Sequence, residues 1–259
     1  MHISFRASGI FVHCIIIFTS GFMAKISKNR IHLAIIPDGN RRWAKKNGKS
    51  TKEGHKAGID KLKKVVEWCK DFNIDTISIW ILSTENLKRS KEEVDALFDL
   101  FDRMLSELLS AKEFDKLRKE VKIKFVGDIS IFPEKLQRKI LEIEGKTSKN
   151  AKYTLAILCN YGGKKEIVDA VNKIIMDAKK GKIREIDEDS FRKYLYAPDI
   201  RDPDLILRAG GEKRVSGLLP WQSVYSEFYF TTKLWPDIQK KDIYNAIEEY
   251  RKRERRFGK

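Results

Sequence analysis

Three stretches gather the residue types that could do chemistry. Asp38-Gly39-Asn40-Arg41-Arg42 sets a carboxylate and two guanidiniums in flexible backbone. Ser83-Thr84-Glu85-Asn86, with Arg89 close behind, adds hydroxyls, a second carboxylate and another guanidinium. Arg208 to Ser216 brings Arg208, Arg214, Gly210, Gly211 and Ser216. Guanidiniums are planar forks that match phosphate oxygens. Glycines let backbone N–H groups approach a ligand, and Ser83 and Ser216 supply hydroxyl donors. The set describes a site for two or more phosphate groups, with Asp38 able to hold Mg²⁺ against them. His55, at a helix start, reads on its own as a capping or surface histidine sooner than as a member of that site.

Each stretch follows an apolar run that reads as a buried strand. Ile31–Ile36 ends at Pro37, Thr76–Leu82 precedes the second stretch, and Asp204–Arg208 leads into the third. Val121–Val126, Tyr153–Cys159 and Phe228–Thr231 are further strand candidates. Between them, Gly54–Phe72 places Ile59, Leu62, Val65, Val66, Cys69 and Phe72 on one helical face. Ser90-Lys91-Glu92-Glu93 fits a capping box that opens a long helix. That helix carries apolar residues on more than one stripe, from Val94 to Leu109, which suits burial against the sheet or the wall of an apolar cavity. Ala111–Glu120, Pro133–Lys149, Gly163 to about Lys180, Phe191–Tyr196 and a basic carboxy-terminal segment also read as helical. Alternation of this kind predicts a single α/β domain with a mostly parallel sheet of about six strands flanked by helices. In such sheets ligands bind beyond the carboxyl ends of the strands, where the three polar stretches would converge.

The 259 residues are 42% hydrophobic, enough for a full core, and 35% charged. A net charge of +16 calls for an anionic partner without choosing among nucleic acid, an acidic membrane surface and a phosphorylated small molecule. The three cysteines, Cys14, Cys69 and Cys159, are widely separated with no C-x-x-C, which argues against a disulfide framework or zinc site and for a reducing compartment. Residues 1–22 stand apart as an apolar leader too short to span a bilayer. They read as a start truly at Met23, as a membrane-surface segment or as a signal peptide, and 23–259 as the catalytic domain.

Familiar nucleotide and hydrolase motifs are absent. Gly48-Lys49-Ser50 resembles the end of a P-loop, but Trp43 stands where its first glycine is required. There is no G-x-G-x-x-G after a strand and no G-x-S-x-G.

What the chain does resemble is the cis-prenyltransferases, the undecaprenyl and dehydrodolichyl diphosphate synthase family. Asp38-Gly39-Asn40-Arg41-Arg42-Trp43, Gly54-His55-Lys56-Ala57-Gly58, Ser83-Thr84-Glu85-Asn86 with Arg89, and Asn160-Tyr161-Gly162-Gly163 carry the resemblance. So do Asp204 to Ser216, Trp221-Gln222, Tyr225-Ser226-Glu227 and Leu234-Trp235-Pro236-Asp237. The blocks fall in order from about Ile31 to Gly258, and Leu219-Pro220-Trp221-Gln222 looks archaeal or eukaryotic.

The resemblance implies repeated addition of isopentenyl diphosphate, with Z geometry, to an allylic primer, farnesyl or geranylgeranyl diphosphate. It makes Asp38 the central acid, binding Mg²⁺ with Glu227. It gives the allylic diphosphate to Gly39, Asn40, Arg41, Arg42, His55 and Arg89, and isopentenyl diphosphate to Arg208, Arg214 and Ser216. Trp43, Thr84, Glu85 and Val215 fall within the same substrate-binding blocks. Asn86, with Ser83 nearby, becomes the candidate for helping to remove the proton after condensation. Arg256 and Gly258 resemble a carboxy-terminal R-x-G that reaches the neighbouring subunit's site in a homodimer. The growing chain calls for an apolar tunnel, walled by the Val94–Leu109 helix. A cytoplasmic enzyme touching the membrane peripherally for product release is expected, with no nucleic-acid partner. Two departures stand out: Thr51 occupies a commonly basic position, leaving Lys49 or Lys52 to supply a phosphate contact, and Leu87 replaces an aromatic.

Overall fold

Strand β1 (Ile31–Ile36) is buried at every position, and both its edges are paired. In the computed structural model, which describes residues 30–112, 114–147 and 151–253, β1 lies inside a six-stranded parallel sheet. The other strands are β2 (Ile74–Trp80), β3 (Val121–Val126), β4 (Tyr153–Leu158), β5 (Leu205–Arg208) and β6 (Glu227–Phe230). Their spatial order is β3-β4-β2-β1-β5-β6. Because every pairing is parallel, the carboxyl ends of β1, β2 and β5 share one edge of the sheet. The expected class, strand count and convergence of the polar stretches are all met.

Helices cover both faces. They are α1 (Asn40–Lys46), α2 (Thr51–Cys69), α3 (Lys91–Ser110), α4 (Phe114–Glu120), α5 (Glu134–Lys146), α6 (Gly163–Lys179), α7 (Glu188–Arg192) and α8 (Lys240–Lys252). Leu62, Val65 and Val66 of α2 and Phe101, Leu105 and Leu108 of α3 share one core cluster with Leu33 and Ile35 of β1. Burying each such side chain stabilises the fold by about 1.5–3 kcal/mol. Across the sheet, Ala34 and Ile36 pack with Tyr161, Leu218 and Leu219. Cys69 and Cys159 are buried free thiols, and burial pushes both upward in pKa, away from the reactive thiolate. No helix among the described residues is long and apolar enough to cross a membrane.

Two expectations about elements need correction. Asn40 opens α1, a helix the sequence reading did not contain. Gly39 alone makes the turn, at φ 105°, where a Cβ would lie 2.8 Å from Leu234 Cδ2. The helix expected over Phe191–Tyr196 falls instead at α7, which Asp187 starts by accepting the Ser190 N–H. Residues 1–22, together with Arg256 and Gly258, lie outside the described residues.

Close packing fixes α1 against α2. At Gly54 an added Cβ would lie 2.5 Å from the Asn40 carbonyl oxygen and 2.8 Å from Ala44 Cβ. The approach is possible only because α2 has hydrogen there. It carries the arginines of α1 over the carboxyl end of β1.

Candidate active site

Asp38 stands just past β1, in a backbone braced from two directions. Its N–H donates to the Ile36 carbonyl at 2.9 Å, and its own carbonyl accepts the Trp235 N–H at 2.9 Å. The Trp235 indole in turn donates to the Gly58 carbonyl at 2.8 Å, tying this segment to α2. Arg42, one helical turn on, donates from Nη2 to Asp38 Oδ1 at 3.1 Å and from Nη1 to the Gly210 carbonyl at 2.7 Å. Arg208 ends the neighbouring strand, in register with Ile36. It donates from Nη2 to Asp38 Oδ2 at 2.8 Å. From Nη1 it reaches the Arg214 carbonyl at 2.6 Å and Ser216 Oγ at 2.7 Å. Each oxygen of one carboxylate therefore receives a guanidinium, and both guanidiniums are held by the loop after β5.

The remaining groups come from β2 and α2. After Ser83 a short turn of 3₁₀ helix, Thr84–Lys88, is closed by the Ser83 N–H donating to Asn86 Oδ1 at 3.0 Å. Arg89 Nη1 donates to Glu93 Oε1 at 2.8 Å, and His55 Nε2 lies 3.7 Å from the same oxygen. Burial, with the charges of Arg89 and Arg41, lowers the pKa of His55 against the opposing pull of Glu93.

These residues line one cavity of about 940 Å³. Asp38, Gly39, Asn40, Arg41, Arg42, His55, Ser83, Glu85, Asn86, Arg89, Arg208 and Ser216 are all in its wall. Away from them the wall turns apolar, with Ile59 and Leu62 from α2 and Leu97, Phe98, Phe101 and Met104 from α3. Of the two readings of the long helix, core burial and cavity wall, both hold. Phe101 and Met104 are buried core residues that also face the space.

Several expected residues stand elsewhere. Trp43 turns away to donate to Asp237 Oδ1 at 2.8 Å, bracing α1 rather than lining the cavity. Thr84 packs on Gly162, Arg214 pairs with Glu212 at 2.5 Å, and Val215 is outside the wall. Glu227 also stands apart from the cavity wall. It begins β6, paired with Leu205, whereas Arg208 at the site pairs with Phe230. Strand direction therefore puts its backbone toward the opposite end of the sheet, and its carboxylate accepts Arg253 Nη1 at 2.5 Å. Within the chain it does not join Asp38. Thr51 and Lys45 both line the cavity, whereas Lys49 and Lys52 are not in its wall.

Three contributors escaped the sequence reading: Trp235, Glu212 and Glu93. Trp235 lay in a quoted block without a role. Glu93 stands four residues from Arg89, a spacing that could have marked it as a counter-ion, whereas Glu212 lies 4.0 Å from Arg42, far away in sequence.

The comparisons with known proteins agree with this geometry. A family model described as "Putative undecaprenyl diphosphate synthase" matches residues 36–258. An isoprenyl transferase of Thermotoga maritima is 49% identical over 228 residues, spanning 88% of this chain and 96% of the relative. The chain belongs to the cis-prenyltransferase family. A tritrans,polycis-undecaprenyl-diphosphate synthase (geranylgeranyl-diphosphate specific) of Thermoplasma acidophilum is 45% identical, covering 88% of each chain. Among solved structures, lavandulyl diphosphate synthase from Lavandula x intermedia, in complex with dimethylallyl diphosphate, superposes with a TM-score of 0.81. It is 36% identical and covers 88% of this chain and 98% of its own. This cis-prenyltransferase is a prenyl-transferring enzyme, with the motif residues of its family gathered at one edge of a parallel sheet.

Arg208 offers a direct check on that gathering. Its side chain is 6% exposed and makes three separate bonds that a point-like ammonium cannot reproduce. Arg208→Lys is expected to lower kcat/KM for prenyl transfer about 10- to 100-fold, since two or more charge-assisted bonds are lost. Steady-state kinetics on the purified variant would show it, and a change below threefold would contradict the geometry.

Proposed function

We propose that the chain is a Mg²⁺-dependent cis-prenyltransferase that adds isopentenyl diphosphate repeatedly to an allylic primer, making a long-chain polyprenyl diphosphate. The observation that carries this reading is one cavity lined both by basic side chains around Asp38 and by apolar side chains of α2 and α3. A prenyl diphosphate has the same division. The primer is farnesyl or geranylgeranyl diphosphate, and the archaeal relatives' names favour the latter.

The donor set suits Mg²⁺ in one particular way. No group of three His, Cys, Asp or Glu side chains among the described residues forms a metal cage. Mg²⁺ is commonly held by one or two carboxylates together with substrate phosphates and water. Asp38, 31% exposed and in the cavity wall, would hold it so. When bound, the ion supplies positive charge to the diphosphate oxygens. The chain's own residues do the rest. Arg41, Arg42, His55 and Arg89 take the primer's diphosphate, and Arg208 with Ser216 takes that of isopentenyl diphosphate. As the allylic C–O bond ionises, charge grows on the departing diphosphate, so fixed guanidiniums stabilise the transition state more than the ground state. Arg208 Nε is a buried donor with no hydrogen-bond partner, which suits a further phosphate contact. The new carbon–carbon bond leaves a cation that loses a proton, and Asn86 in the wall is the candidate for steering that loss. The growing chain extends along Leu97, Phe98, Phe101 and Met104.

The test is incorporation of labelled isopentenyl diphosphate into butanol-extractable product, with Mg²⁺ and each of several allylic primers. Polymer whose formation stops on chelation of Mg²⁺ supports the reading and reports primer and length together. No product with any primer would overturn it as a self-sufficient enzyme.

A further inference from the structure

Glu93 stands where a helix-capping glutamate is expected, yet its carboxylate is used for something else. The same protein contains a direct comparison. At Ser50-Thr51-Lys52-Glu53, which opens α2, Glu53 Oε2 accepts the Ser50 N–H at 2.8 Å and completes a capping box. At Ser90-Lys91-Glu92-Glu93, which opens α3, Ser90 Oγ accepts the Glu93 N–H at 3.3 Å, but the carboxylate does not return to Ser90. It accepts Arg89 Nη1 at 2.8 Å and lies 3.7 Å from His55 Nε2. Arg89 and His55 both line the main cavity, from different elements. Glu93 does not. It lines an adjoining groove of about 300 Å³ between the starts of α2 and α3, whose wall also includes His55.

We propose that Glu93 is a positioning residue of the primer site, holding Arg89 and His55 together so that both present to one diphosphate. This rests on the function proposed above. A free arginine side chain has many rotamers, and fixing one before the ligand arrives removes that entropic cost from binding. His55 Nε2 is buried with no hydrogen-bond partner and faces the Glu93 carboxylate at 3.7 Å, so the imidazole is oriented by charge and keeps an unused polar atom beside Glu93. The charged groups facing His55 are Arg89 from the loop before α3, Glu93 from α3 and Arg41 from α1. Arg89 and Arg41 oppose its protonation and Glu93 favours it. A diphosphate joining that set adds negative charge, so His55 takes up a proton as the primer binds. Glu93 faces the groove and is paired with Arg89, so its repulsion of the ligand is the smaller effect.

The experiment uses the full chain with Mg²⁺ and the primer it accepts. It compares wild type with Glu93→Gln and with Glu92→Gln, an exposed neighbour on the same turn. Glu93→Gln is expected to raise the primer KM about tenfold, with kcat and the isopentenyl diphosphate KM within twofold, matching the loss of one charge-assisted anchor. The decline of kcat/KM for the primer with rising pH should begin at lower pH in Glu93→Gln, because His55 has lost the charge that favours its proton. Glu92→Gln should match wild type. Titration with inorganic pyrophosphate, independent of turnover, should show the same tenfold weakening. In buffers of different ionisation enthalpy, that titration should show proton uptake by wild type that His55→Gln lacks. Unchanged primer KM and pH profile, tighter pyrophosphate binding, or equal uptake by wild type and His55→Gln would each overturn the proposal. So would a loss of kcat and of both KM values together with the melting temperature, which marks a merely structural role. Wild type inactive with every primer would sink the functional reading, and the pyrophosphate titrations would still judge Glu93.

Discussion

Asp38→Ala is expected to lower kcat about 10³-fold while leaving the fold nearly as stable as before. The carboxylate receives Arg42 on one oxygen and Arg208 on the other, at 3.1 and 2.8 Å. Neither arginine depends on it alone. Arg42 also holds the Gly210 carbonyl, and Arg208 holds the Arg214 carbonyl and Ser216. The partly exposed ion pairs at Asp38 contribute about 1 kcal/mol or less to folding, so the frame survives the substitution. What disappears is the proposed Mg²⁺ ligand and the fixed negative charge that spaces two guanidiniums around the reacting diphosphate. Loss of one preorganised electrostatic group at a transition state costs about 10²–10³ in kcat, and metal binding is lost with it here. Asp38→Asn, similar in size but uncharged, should fall nearly as far. The measurement is kcat with saturating primer, alongside thermal melting. A kcat within tenfold of wild type would show that the arginines alone carry the charge development.

Acid should destabilise the protein well before its ordinary carboxylates are protonated. His32 lies in β1 and is buried. Its Nδ1 lies 2.7 Å from the Arg201 carbonyl and its Nε2 2.8 Å from Ser78 Oγ. The carbonyl can only accept, so Nδ1 carries the proton and Nε2 accepts from Ser78, which describes a neutral imidazole. Burial first, and then the Arg201 charge, lower its pKa to about 4, with the hydrogen bond to the Arg201 carbonyl and the Asp204 charge pulling the other way. Unfolding restores the ordinary value of about 6.5. Above that pH the ring is neutral in both states and costs nothing. As pH falls from about 6.5 to about 4 the unfolded chain gains a proton that the folded chain refuses, and stability drops by roughly 3 kcal/mol. That is a large part of the 5–15 kcal/mol typical of a domain. Denaturant unfolding at pH 7.5 and 4.5 would measure the drop. His32→Gln should lower stability at pH 7.5 but flatten the dependence across this window, and an equal slope in both proteins would exclude His32 as its source.

The sheet was legible because its strands are short apolar runs closed by polar loops. Val121–Val126 was read to the residue, and the others were within two residues at either end. Strand order was not legible, since β1 meets β2 and β5 through contacts that no local pattern encodes. Helix α1 escaped for a physical reason. Its seven residues hold one buried side chain, Ala44, and lack an apolar stripe. It is held by the Gly39 turn and by the close approach to Gly54, both tertiary effects. At the site, Arg41, Arg42, Arg89, Arg208, Asp38, His55 and Asn86 line one cavity because they follow strand ends or belong to helices packed there. The distance of Glu227 from Asp38 within the chain was not legible, because motif order does not say which end of a strand a residue occupies. The glutamates and Trp235 that hold the arginines and the Asp38 backbone were passed over, since supporting groups look like ordinary surface charge or core until their partners are known.

The position of β1 also sets a timetable for synthesis. One edge finds its partner soon, when β2 emerges some forty residues later, but the other waits for β5, roughly 170 residues further on. At ribosomal rates that is roughly 10 to 30 seconds. For all that time an apolar strand offers an open row of N–H and C=O groups, the arrangement that recruits stray strands from other chains. The one polar side chain in Ile31–Ile36 is His32, so the nascent edge has a single interruption of its own. Asp38 shares the delay, because Arg208 and Trp235, which complete its surroundings, are among the last parts of the fold to leave the ribosome.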